Sequence, residues 1–134
     1  MLFALAAAAA AECNGVPLAR SIDDYAELIR RQDSAAIARQ FGADGEIDNP
    51  GAAPIKGEAA IRTFLASFKG AVVKSEAMTI RDISLADKDW HVVGSFHQTG
   101  RTPEGKDYDV SGSFDSTWTC TDAGWRVRHM ATGK

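Results

Sequence analysis

Residues 107–120 alternate without interruption between polar side chains and a second set that is mostly apolar or small. Successive side chains of a strand point to opposite faces of a sheet, so this pattern predicts a strand with one face toward a core and the other toward water. The inward set is Tyr108, Val110, Gly112, Phe114, Ser116, Trp118 and Cys120. The chain is therefore expected to contain an antiparallel sheet that is covered on one side.

Turn signals at residues 87–89, 102–105 and 121–124 divide residues 71–132 into four strands, which predicts a meander. In the second strand, Trp90, Val92, Gly94 and Phe96 are expected to form the inner set, which leaves His91 and His97 outside. In the last strand, regular alternation groups Trp125, Val127, His129 and Ala131. We therefore expect His129 to lie on the apolar face.

Helical patterns precede the meander. Ser21 and Asp24 have the spacing of a capping box, which predicts a first helix that runs to about Arg31. Asp33 is expected to cap a second, short helix that ends at Gly42. A short extended piece is expected over residues 44–49, and an irregular stretch through residue 57 follows it.

A third helix is indicated by apolar residues at i, i+3, i+4 and i+7, and it is expected to end at Gly70. Its stripe consists of Ile61, Phe64, Leu65 and Phe68. No strand alternates regularly with a crossover helix, which excludes a doubly wound fold. The predicted class is α+β: a cone-shaped roll with three N-terminal helices packed on a curved, mainly antiparallel sheet.

Length and charge limit the possible functions. The 134 residues suit one domain, and the formal charge of -3 supplies no basic surface for nucleic acid or an anionic membrane. Neither partner is expected. We find no phosphate loop, dinucleotide fingerprint or nucleophile elbow, so no cofactor is expected. His91 and His97 lack an obvious third ligand, so no metal site is expected either.

Residues 1–11 form a Leu/Phe/Ala run that ends in alanines, as at a signal-peptidase site. The predicted organisation is a signal peptide at 1–11, a short segment at 12–20 and one domain at 21–134, in a secreted or periplasmic protein. The run lacks the usual basic start, which leaves an Ala-rich helix and a cytoplasmic location as the alternative. In an exported protein Cys13 and Cys120 would form a disulfide, and otherwise they would be free thiols.

The order of these elements resembles the nuclear transport factor 2-like superfamily, and within it the branch of ketosteroid isomerase and the SnoaL-like polyketide cyclases. The resemblance spans about residues 20–132. The residues that carry it are Tyr25, Asp33, Phe41-Gly42-Ala43-Asp44, Ile47-Asp48-Asn49-Pro50, Lys56-Gly57, Ala60-Ile61-Arg62 and Phe64. It implies a small-molecule pocket and is compatible with a homodimer formed through the sheet.

The resemblance also assigns residue roles. Tyr25 matches a tyrosine that donates a hydrogen bond to the dienolate oxygen in the isomerases. Asn49 takes the place of their aspartate base, and an amide cannot accept a proton at neutral pH. Ser116 lies near the place of their protonated aspartate. Two of these three positions differ, which argues against classical steroid isomerisation.

Three functions follow from these residues. The first is binding of a small apolar or amphipathic molecule in an internal pocket. The second is an isomerase, cyclase or dehydratase in which His129 is the base and Tyr25 and Asn49 hold the enolate oxygen. The third is a structural module that dimerises through the sheet. The expected ligand-binding residues are Phe41, Phe64, Phe68, Phe96, Ser116 and Trp118. The structural alternatives are a packed ring for Tyr25, a turn residue for Asn49 and a core histidine for His129.

Overall fold

The computed structural model describes residues 11–133, so most of the predicted signal peptide lies outside the described residues. The helices are α1 (Leu18–Arg31), α2 (Ser34–Phe41) and α3 (Glu58–Ala66). The strands are β1 (Glu12–Cys13), β2 (Val16–Pro17), β3 (Glu46–Asp48), β4 (Ile55–Lys56), β5 (Val72–Ala86), β6 (Asp89–Arg101), β7 (Asp107–Thr121) and β8 (Gly124–Gly133). Within residues 11–133, none of the helices has the length and apolar character needed to span a bilayer.

Six strands form one sheet in the order β4-β3-β8-β7-β6-β5, and β1 and β2 form a separate small hairpin. Strands β5 to β8 pair antiparallel in sequence order, while β3 pairs parallel to β8. The predicted four-stranded meander and the α+β class are confirmed. Strand β4 lies in the stretch that we expected to be irregular, where Ile55 pairs with Ile47.

Helix α1 begins earlier than its sequence pattern indicated. Its N-cap is Pro17, which has extended backbone angles, and the Leu18 amide donates to the Ala11 carbonyl at 2.8 Å. No side chain caps the helix, so the predicted capping box at Ser21 is wrong. The Ala11 carbonyl satisfies the first amide of the helix in place of a side-chain cap.

The other two helices follow the predicted starts and stops to different degrees. Asp33 caps α2 by accepting from the Ala36 amide at 3.0 Å, and the helix ends before Gly42, which has a φ of 68°. Both predictions are confirmed. Helix α3 ends at Ala66, before the last residue of its apolar stripe, so Phe68 lies beyond the helix and is 49% exposed.

The core lies between the helices and one face of the sheet, which we call the inner face. It is the face that carries Val92, Phe114, Trp118 and Met130, and all four are buried. The inner side of β7 is the one that the alternation predicted. The helices contribute Leu18, Ile22, Tyr25, Ile37, Phe41 and Ile61 to the same core.

A β-bulge in β8 changes the outcome of one prediction. Thr117 pairs with His129 and Trp118 pairs with Val127, so Arg128 is an extra residue on β8. A bulge shifts the alternation of the strand that contains it. Met130, not His129, therefore continues the buried series after Val127, and the predicted inward position of His129 is wrong.

The N-terminal hairpin is tied to the β7–β8 turn. Cys13 and Cys120 form a disulfide with Cα atoms 5.5 Å apart, which confirms the predicted pairing. The Trp125 indole donates to the Val16 carbonyl at 2.8 Å, and the Asn14 amide donates to the Asp122 carbonyl at 3.2 Å. These links join the two ends of the described chain.

Reduction of the disulfide should lower the free energy of unfolding by about 3–5 kcal/mol, because the bridge closes a long loop and restricts the unfolded chain. The two cysteines are 107 residues apart. Denaturant unfolding with and without a phosphine reductant measures the difference. The double variant Cys13→Ser/Cys120→Ser is the control, since it should not respond to reductant. A loss below about 1 kcal/mol would contradict this account.

Candidate functional site

Tyr25 lies inside the core at the centre of α1. Its side chain is 5% exposed and packs edge-on against Phe41 and Trp118, with both ring-centroid distances at 6.1 Å. Its hydroxyl makes no hydrogen bond within residues 11–133. Burial, and then the charge of nearby Glu76, raise the pKa of this hydroxyl above its ordinary value. Tyr25 is therefore a neutral hydrogen-bond donor at physiological pH.

The other two positions carried over from the resemblance already have partners. The Thr132 hydroxyl donates to Asn49 Oδ1 at 3.1 Å, which links the end of β3 to β8. Ser116 is fully buried, where it donates to the Val92 carbonyl and accepts from the Trp118 indole, each at 3.0 Å. Ser116 thus satisfies the core instead of offering its hydroxyl to a ligand.

The predicted ligand-binding aromatics separate into two groups. Phe41 and Trp118 are 3% and 0% exposed, so they are core residues with no surface for a ligand. Phe64 is half-buried and its ring lies 5.1 Å from that of the exposed Phe68. Phe96 is also half-buried, and its side chain lies over the inner face. Only the second group can touch a molecule from outside.

The inner face is not covered along its whole length. Val110 lies on it opposite Gln98, yet it is 45% exposed. Beside Val110, the Phe96 ring lies across Gly112, where a Cβ atom would come within 2.8 Å of the ring. The Gln98 amide donates to the Tyr108 hydroxyl at 3.1 Å. We call the surface formed by Glu76, Phe96, Gln98, Tyr108 and Val110 the open patch.

Glu76 is the ionisable side chain of the open patch. The register of β5 places it directly opposite Gln98 on the inner face. Its Oε2 atom is buried and has no hydrogen-bond partner among the described residues. Burial raises the pKa of Glu76 to about 7, and the charge of His97 opposes part of that rise. A carboxyl group with such a pKa can hold or release a proton near neutral pH.

The sequence interpretation overlooked Glu76 because β5 lacks clean alternation. Two register irregularities, between Val73 and Ser75 and between Ile80 and Asp82, break its pattern. Between them, Glu76, Met78 and Ile80 do alternate with Ala77 and Thr79. Because Glu76 is spaced two and four residues from Met78 and Ile80, this alternation could have placed it on the same face as those apolar residues.

His129 instead joins an acidic pair on the outer face. It donates to Asp48, and its Nε2 lies 3.8 Å from a Glu46 carboxylate oxygen. Hydrogen bonds with His129 and then Glu46 lower the pKa of Asp48. One ligand atom from each of these three residues lies within 4.8 Å of the others, so the cluster has the spacing to hold a divalent cation. Lys56 also lies 3.6 Å from Glu46, so a cationic side chain already contacts this acidic pair.

The remaining histidines lie on the outer face, as predicted. His91 contacts Asp115 at 2.6 Å, and His97 contacts Asp109 at 2.7 Å. Two surface grooves, of about 240 and 420 Å³, run beside outer-face residues of β6 and β7. Neither groove is lined by Tyr25, Asn49 or Glu76. The groove of about 420 Å³ is lined by Tyr108, a residue of the open patch, so this groove adjoins the patch.

The stability of the protein should depend on Glu76 in a pH-specific way. The folded state holds the Glu76 proton more tightly than the unfolded chain does. Protonated Glu76 therefore makes its full contribution to the free energy of unfolding below pH 4.5, and this contribution is lost as pH rises through about 7. Glu76→Gln should therefore leave stability unchanged at acidic pH and raise it by roughly 1–3 kcal/mol at pH 8.

Denaturant unfolding at pH 4.5 and at pH 8 measures that effect. Glu104→Gln is the matched control, since it makes the same substitution at an exposed carboxylate in the β6–β7 turn. Equal shifts for the two variants at pH 8 would show that the burial of Glu76 has no energetic consequence.

Comparison with known proteins agrees with this architecture. No curated protein sequence matches the chain. Among solved structures, Aln2 from a Streptomyces species superposes with a TM-score of 0.74 at 15% identity, over 87% of each chain. A ketosteroid isomerase-like protein from Erwinia carotovora atroseptica gives 0.71 at 17% identity, over 81% of this chain and 85% of that one.

A nuclear transport factor 2-like superfamily protein from Salmonella enterica gives a TM-score of 0.70 at 16% identity, over 85% of each chain. Likenesses at such low identity establish the fold. The sequence profile of the SnoaL-like domain family matches residues 22–130, which is most of the chain. The chain belongs to the SnoaL-like domain family.

Proposed function

We propose that this protein binds a small amphipathic molecule at the open patch. The exposure of Val110 on the face that also carries the buried core is the observation that carries the proposal. An apolar side chain and an aromatic ring offer contact area, and a few polar groups fix orientation, which is the usual composition of a small-molecule site. Here those polar groups are Gln98, Tyr108 and Glu76.

The family supports this reading at a coarse level, because SnoaL-like proteins often bind small molecules or catalyse isomerisation and cyclisation. The position of the site differs from the pocket that the sequence suggested. Ser116 and Trp118 are buried and cannot contact a ligand. The accessible surface lies nearer the C-terminal end of β6 and the N-terminal end of β7. The molecule would lie on the sheet where α1 and α3 leave it uncovered.

A proton-transfer enzyme is the second candidate, and the raised pKa of Glu76 favours it. Glu76 would take a proton from a carbon next to a carbonyl, and the Tyr25 hydroxyl would donate a hydrogen bond to the enolate oxygen that forms. The base predicted from the sequence was His129, and its outer-face position gives it no path to this site.

A structural module that dimerises through the outer face would bury the polar and charged side chains of that face.

We also infer export to an oxidising compartment. Stable disulfides are uncommon in cytosolic proteins, and the Cys13–Cys120 bridge supports a secreted or periplasmic location. Intact mass of the protein from its native cell tests this inference. Two free thiols there would contradict it.

Filling the open patch should abolish ligand binding. Val110→Trp places a large ring on the exposed inner face, and we expect at least tenfold weaker binding of any steroid or polyketide-like ketone that raises the melting temperature. Val72→Trp is the matched control, because Val72 is 48% exposed and lies opposite Arg101 on the outer face. Equal losses in both variants would refute the proposed site.

The two candidate functions separate in a turnover assay with ketones that carry an acidic carbon. The enzyme predicts turnover that falls at least a hundredfold in Glu76→Gln and is unchanged in His129→Ala. The binding protein predicts stabilisation without turnover. Loss of turnover in His129→Ala alone would show that His129, not Glu76, is the catalytic base.

A further inference from the structure

The electrostatics of the inner face are one-sided. Apart from the bulge positions, the register of β5 to β8 places one acidic residue and no basic residue on that face among residues 11–133. The acidic residue is Glu76. The helix residues in the same core are apolar, apart from the neutral hydroxyl of Tyr25.

The groups around Glu76 leave its negative charge unbalanced. From β6, Gln98 lies opposite it, but the Gln98 amide is engaged with Tyr108. His97 acts from the far side of the sheet, where it already contacts Asp109 at 2.7 Å. From α1 the titratable neighbour is Tyr25, whose hydroxyl is neutral.

The nearest basic residue on β5 is also committed elsewhere. Lys74 occupies a register irregularity and lies 3.4 Å from Asp107. Within the described chain, no salt bridge reaches Glu76 and its Oε2 has no donor. Burying a carboxylate without a partner is costly, so a cation brought by a ligand would be strongly favoured there.

We propose that the ligand of the open patch is an amphipathic amine, whose protonated nitrogen pairs with the Glu76 carboxylate while its apolar body lies on Phe96 and Val110. This rests on the function proposed above and names the chemical class of its ligand. The half-buried ring of Phe96 adds a surface that attracts a cation. Glu76 is then the residue that determines specificity for charge.

The amine class has a definite pH signature. Only ionised Glu76 pairs with an ammonium group, and a pKa of about 7 means that the ionised fraction rises about tenfold between pH 6 and pH 8. An alkylamine stays protonated over that range. Amine affinity should therefore rise by up to about tenfold, with release of a proton on binding at pH 6.

The test compares 4-phenylbutylamine with 4-phenyl-1-butanol, which share an apolar body and differ in charge. Titration calorimetry at pH 6 and pH 8 measures both against the oxidised protein. We expect the amine to bind at least tenfold more tightly than the alcohol at pH 8. Glu76→Gln should remove this preference by weakening amine binding, while Glu104→Gln should behave as the unaltered protein.

Other outcomes would contradict the proposal that the ligand is an amine. Equal binding of amine and alcohol at pH 8, lost for both in Val110→Trp, would leave the binding site standing and refute the ligand class. Tighter alcohol binding at pH 6 would indicate a protonated Glu76 that donates a hydrogen bond to a neutral ligand. If neither compound nor any ketone of the wider panel binds, the amine and the proposed function fail together.

Discussion

The continuous pairing of β6 with β7 is the constraint on which the rest of the structure depends. The two strands stay in register from Trp90 and Trp118 to Arg101 and Asp107. A shift by one residue would transfer every inner side chain to the outer face. The buried Val92 and Phe114, the half-buried Phe96 and the exposed Val110 all owe their positions to this pairing.

Glycines opposite aromatic residues let the inner face accept these rings. A Cβ atom at Gly94 would come within 2.8 Å of Phe114, and one at Gly100 within 2.5 Å of the Tyr108 hydroxyl. The rings can therefore lie flat along the sheet instead of standing away from it. Helices cover the part near Trp118, while the part near Val110 stays open, so one surface serves both as core and as candidate binding site.

Burial gives Glu76 its chemistry. The same carboxyl group in a surface turn would be solvated and would keep its ordinary pKa. On the inner face its Oε2 has no hydrogen-bond partner within residues 11–133, and burial raises its pKa to about 7. On the outer face the ionisable side chains are paired instead, because each of the three histidines there contacts an aspartate.

The regularity of β7 made its faces readable from sequence, and Asp33 and Gly42 likewise marked the ends of α2 correctly. The family resemblance was also available from sequence, and the match over residues 22–130 supports it. The candidate site was much less predictable. Tyr25 was found, but Ser116 proved to be a satisfied core residue, and the base was sought at His129 instead of Glu76.

The amino-acid sequence by itself determined the α+β class, the four-stranded meander and the two cysteines able to pair, because these follow from local periodicity, turn residues and composition. The tertiary structure alone decided which face His129 occupies. Bulges at Arg128 and in β5 depend on how each strand pairs with its neighbour, and a one-residue bulge reverses side-chain direction without leaving a local signal in the strand that contains it.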